Sequence, residues 1–243
     1  MKRDKTEYKH YTPEEILQIL IDFYNFQAYF CFDADTGHQL TFQTTIGEWR
    51  KICDQEKPAK LAEYLHSFFN LDTNQSELIN LLNNEDNTLG AFCNYVANNA
   101  IKPVILSGTL CLETAIFEKL KIEFEKKGID ITDFTPSTDF TVLFYKHAED
   151  IMSIVSKLAP GTLSYYKLKY SIIDKLEALL MIFSIITPIV MILFYHIIWH
   201  IIIPLFIVTI ILVLINKKSK RFKSDISGYR TIKDLLIGMK KHI

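Results

Sequence analysis

The stretch 178-ALLMIFSIITPIVMILFYHIIWHIIIPLFIVTIILVLI-215 runs for 38 residues without an Asp, Glu, Lys or Arg. As one straight helix it would rise about 57 Å at 1.5 Å per residue. A bilayer's hydrocarbon layer is about 30 Å thick and takes roughly 20 helical residues to cross. Divided at its middle, the run makes two spans, about 177–195 and 199–216, each just long enough. Tyr195, His196, Trp199 and His200 at the midpoint are amphipathic types that settle at a membrane–water boundary. The sequence therefore predicts a transmembrane helical hairpin over 176–216. Pro188 and Pro204 would kink its helices, a distortion that membrane helices tolerate.

Charge sets the expected orientation. Lys167, Lys169 and Lys175 precede the run, and Lys217, Lys218, Lys220, Arg221 and Lys223 follow it, while the turn holds no basic residue. Positive charge stays on the cytoplasmic side during insertion, so both termini are expected there, in a bacterial inner membrane. The five later basic residues also suit anionic lipid headgroups, at about 1 kcal/mol each; a stop-transfer signal is their plainer role.

The rest of the chain is unevenly charged. Residues 1–165 hold 15 Lys/Arg against 24 Asp/Glu, and 216–243 hold 9 against 2. An acidic main domain argues against nucleic-acid binding. Cys31, Cys53, Cys93 and Cys111 form no CxxC pair and read as reduced, buried thiols. The polar stretch Met1–His10 has no apolar region of a cleavable secretory signal.

Local signals predict a mainly α domain over 12–165, after a flexible segment 1–11, with an option of two modules at 12–100 and 104–165. Thr12-Pro13-Glu14-Glu15 is a helix start with a Thr cap and Pro in the first turn. Ile16, Ile19, Leu20, Phe23 and Phe26 give that helix one apolar face. Thr45-Ile-Gly-Glu48 is a capping box, Leu61 to Phe69 a helix ending near Asn70, and Asn74 and Thr88 open two more. Glu113 to Lys127 forms a helix stopped by Gly128, and His147 to Lys157 another. Val104 and Leu106 suit a short strand or a connection. In the basic segment 217–243, Thr231 to Lys241 makes a last amphipathic helix.

An echo runs through these starts: Thr45-Ile-Gly-Glu-Trp, Thr88-Leu-Gly-Ala-Phe and Thr231-Ile-Lys-Asp-Leu. Each is a capped, buried helix, and together they suggest a repeated module. The pattern resembles the last helix of acyl carrier proteins, which opens Thr–Val–Gly–Asp. Leu61-Ala-Glu-Tyr-Leu-His-Ser-Phe-Phe-Asn-Leu-Asp before Thr88, and Phe117 to Ile131 with Pro136-Ser-Thr-Asp before Thr231, resemble the carrier's preceding helix. The resemblance implies a helical scaffold with the hairpin inserted in its second copy. Carriers attach phosphopantetheine to the serine of Asp-Ser-Leu; this chain has no Asp-Ser pair, so the resemblance transfers no functional residue.

Chemistry is sparse. The glycines are never closer than ten residues, which excludes GxGxxG, the Walker loop, GxSxG and GxxxG. No HExxH or Cys/His zinc spacing occurs, and neither metal nor cofactor is expected. Asp33 and Asp35 before Gly37 read first as an acidic turn. Arg3 and His10 have ribonuclease-like spacing outside any predicted helix. Asp33, Asp35 and His38, or His147 and Glu149, would line a pocket if the chain were a membrane-bound hydrolase. The favoured reading is a membrane-anchored, non-enzymatic binding or scaffold protein with an unidentified protein partner. The alternative is an inner-membrane defence effector whose hairpins form homo-oligomers and disrupt the bilayer.

Overall fold

The computed structural model describes residues 9–30, 38–53, 57–105, 111–168 and 224–243. Two compact units divide the chain: Met1–Lys167 with Ile226–Ile243, and Leu168–Asp225. The second unit lies almost wholly outside the described residues.

Helix α1, Pro13–Phe30, starts where Thr12 and Glu15 satisfy each other's amides: Glu15 N donates to Thr12 Oγ1 at 3.2 Å and Thr12 N to Glu15 Oε2 at 2.9 Å. Such a reciprocal cap covers donors that a helix start leaves unpaired. Four more helices follow: α2 Ile46–Ile52, α3 Pro58–Phe69, α4 Gln75–Asn83 and α5 Leu89–Asn99. The side chains of Thr45, Asn74 and Thr88 cap α2, α4 and α5, and Asn70 ends α3 in the left-handed region at φ 49°. Their apolar faces meet in one core running from Tyr11 to Ala100. The core's first and last strands of chain are tied by a bridge between His10 and Ile101 and by the buried ammonium of Lys102 on Glu15.

A second core uses α6 Leu112–Lys126, α7 Phe140–Lys146, α8 Ala148–Leu158 and α9 Ile232–Met239. Gly128, at φ +73°, stops α6 and donates to Glu125 O at 2.9 Å. A two-stranded sheet pairs β1 Tyr166–Leu168 with β2 Ser224–Ile226, and Ser227 N donates to Tyr165 O beside it. The cores are continuous across α1 and α8: Phe26 packs edge-on to Phe144 at 6.2 Å, and Tyr11 donates to Lys157 O at 3.1 Å. No strand forms at Val104.

One hydrogen-bonded clasp occurs twice. In the first core Thr45 pairs with Thr88: Ile46 N donates to Asn87 O at 2.7 Å, Leu89 N to Thr44 O at 2.8 Å and Gly90 N to Phe42 O at 2.9 Å. In the second, Asp139 pairs with Thr231: Phe140 N donates to Arg230 O at 2.9 Å, Ile232 N to Thr138 O at 3.0 Å and Lys233 N to Pro136 O at 2.8 Å. The turn before each clasp is also the same. Thr41 N donates to Thr44 Oγ1 at 2.9 Å, and Thr135 N to Thr138 Oγ1 at 2.8 Å. Two helix starts thus satisfy each other's first amides, twice. The Thr45, Thr88 and Thr231 echo marks three of the four members, and Asp139 is the fourth.

The first clasp packs closely on Gly90, where an added Cβ would stand 3.1 Å from Phe42 O. Gly90→Val should therefore destabilise the protein by about 2 kcal/mol through overpacking, read as a lower urea midpoint; an unchanged midpoint would show that the clasp yields freely.

The expected fold class needs correction. The described chain is mainly helical, but no helix among the described residues is long and apolar enough to cross a membrane, so the described helices include no two-helix transmembrane hairpin. The longest of these helices, α1, carries Glu14, Glu15 and Asp22 and buries its apolar face in protein. The stretch 176–216 that suggested the hairpin lies outside the described residues.

Candidate functional site: an apolar cavity between α1, α2 and α3

Helix α3 has two kinds of lining face. Leu61, Leu65, Phe68 and Phe69 are buried, whereas Lys60 and Tyr64, one turn apart, are exposed at its edge. Between this face, α1 and α2 lies a cavity of about 670 Å³. Ile19, Leu20, Phe23, Tyr24 and Phe26 of α1 supply one wall, and Trp49 and Cys53 of α2 another. Gln27, Lys60, Tyr64 and Glu149 bring the polar atoms, Glu149 from the first turn of α8 beside Ala148. The volume falls in the range of small-molecule sites, which are mostly apolar with a few placed polar groups.

The walls are held in place. Phe23 meets Phe68 edge-on at 5.0 Å, Tyr64 stacks on Phe68 at 5.9 Å, and Trp49 lies 5.8 Å from Phe92. Gln27 Nε2 donates to Cys53 O at 2.9 Å. Lys157 Nζ sits 4.0 Å from the Phe68 ring centroid, and burial, with the Lys127 charge, pushes its ammonium down to about 8.

Burial pushes the Cys53 thiol up to about 11, so it stays protonated and a poor nucleophile at neutral pH. Burial, helped by the Glu149 charge, raises the Tyr64 phenol. Among the described residues no His, Cys, Asp and Glu group could hold a metal. Cys93 is buried too, but Cys111 is exposed, unlike the buried thiol expected of it.

Of the residues singled out from sequence, Glu149 lines the cavity. His147, half-buried between α7 and α8, does not, and neither does the exposed His38. Asp33 and Asp35 lie outside the described residues, as do Tyr195, His196, Trp199, His200, Lys217, Lys218, Lys220, Arg221 and Lys223. Sequence reasoning missed Lys60, Tyr64, Gln27 and Trp49. An i, i+4 pair of Lys and Tyr flanking an apolar stripe was the available signal.

A buried carboxyl stands apart from the cavity. Asp22 is fully buried on α1, where Gln18 Nε2 donates to its Oδ1 at 2.9 Å and Gly161 N to its Oδ2 at 2.7 Å. Burial pushes it up to about 6. No protein-family model, curated protein or solved structure matches the chain.

Proposed function

We propose that this chain is a non-enzymatic binding module whose ligand occupies the cavity between α1, α2 and α3. The cavity itself supports the reading: it is large, walled by aromatic and aliphatic side chains, and polar at its exposed edge. The protonated Cys53 thiol and the dispersal of the described histidines and carboxylates favour binding over catalysis. The acyl-carrier resemblance points the same way, since it offers a helical scaffold without the serine that carrier chemistry requires.

The full chain should bind 1-anilinonaphthalene-8-sulfonate with a saturable fluorescence rise at about one equivalent while retaining a cooperative urea transition. Phe23→Ala, which removes an aromatic wall, should change that affinity. A folded chain that leaves the dye dark, or one whose response ignores Phe23→Ala, would overturn the assignment.

A further inference from the structure

The cavity's edge carries opposite charges that do not neutralise each other. Lys60 and Glu149 both line it, both are exposed, and neither forms an ion pair with a described residue. Were they within about 4 Å they would form a salt bridge across the opening; instead the two charges face the same space separately. Tyr64 lines the same cavity and is related to both. It is one helical turn from Lys60, with Cβ atoms about 6 Å apart, and its phenol feels the Glu149 charge. A carboxylate beside an exposed aromatic face attracts an ammonium, through charge and through the ring quadrupole. The Lys60 ammonium, which forms no ion pair with a described residue, attracts an anion. Phe23, Trp49 and Leu65 line the same cavity with mainly apolar surface.

Resting on the cavity reading above, we propose that the ligand is a single-chain zwitterionic amphiphile. Its cationic end lies against Tyr64 and Glu149, its anionic group faces Lys60, and its hydrocarbon chain fills the space toward Trp49. A purely anionic amphiphile would gain Lys60 and meet Glu149 as a like charge. A purely cationic one would do the reverse. Only a head with both signs satisfies both groups.

The test uses the full chain with Trp199→Phe, so that Trp49 is the sole indole, and three probes of equal chain length below their micelle-forming concentrations. Dodecylphosphocholine, dodecanoate and dodecyltrimethylammonium are titrated against Trp49 fluorescence, with far-UV circular dichroism confirming that the fold persists. Dodecylphosphocholine should bind about fivefold more tightly than either single-charge probe. Lys60→Gln should weaken it about threefold and spare dodecyltrimethylammonium; Glu149→Gln should weaken it about threefold and spare dodecanoate, as exposed charge contacts allow. Equal binding of all three probes, or variants that change none of them, would overturn head-group recognition while leaving a dye-binding cavity intact. Failure of the dye as well would remove the cavity reading with it.

Discussion

Asp22→Asn is expected to remove a contribution that favours the native chain as pH falls from about 6 to 4. The Asp22 carboxyl is pushed up from 3.8 to about 6, chiefly by burial, against the opposing hydrogen bonds from Gln18, Gly161 and Ser156. A group raised in the folded state contributes stability fully below its unfolded value and loses it as pH climbs through the folded one. The gap between 3.8 and about 6 corresponds to about 3 kcal/mol. Asparagine has nearly the same shape; it can still accept from Gly161 N and, with the Gln18 amide turned over, donate to Gln18 Oε1, so the variant should fold. Relative to it, the native chain should gain about 2 kcal/mol between pH 6 and 4, seen as diverging urea midpoints. Parallel midpoints across that window would mean that Asp22 titrates normally.

Phe140→Ala should cost about 3–5 kcal/mol, the usual range for emptying a large aromatic site. Phe140 is fully buried, 5.6 Å from the Phe144 ring and 6.4 Å from that of Tyr229, and its amide closes the second clasp. The informative readout is in the other core. Trp49 belongs to the first core, and the two cores are joined by Phe26 on Phe144, Tyr11 on Lys157 and Asp22 on Gly161. With Trp199→Phe as background, the urea midpoint reported by Trp49 should fall together with that reported by circular dichroism. If the Trp49 transition keeps its place while helicity is lost earlier, the two cores unfold separately.

Much of the helical architecture is written in short-range signals. Thr12, Thr45, Asn74, Thr88 and Thr231 each open a helix where the side-chain chemistry of a cap expects it, because a cap depends on three or four neighbouring residues. Helix α7 escaped notice for the same reason turned round: its seven residues are too few to show a period, and its cap is an aspartate following a threonine used in a turn. The pairing of caps was out of reach, since Thr45 meets Thr88, and Asp139 meets Thr231, only through tertiary structure. The long uncharged run suggested a membrane hairpin from composition alone, and the described helices include no such span. The cavity was hidden because Ile19, Leu20, Phe23 and Leu65 have the spacing of ordinary core residues; periodicity says which face is apolar, not whether it is filled. Asp22 was not singled out from the sequence, although it sits three residues after Ile19 and four before Phe26, within the apolar stripe.

The two clasps differ in how far apart along the chain their halves lie. Ile46 reaches Asn87, 41 positions on, whereas Phe140 reaches Arg230, 90 positions on. On a ribosome the amino-terminal half can therefore close its own ring of contacts while α6 to α8 still await their last helix. During that interval Phe140, Phe144 and Leu120 would lack the apolar cover that the last helix gives them in the folded chain.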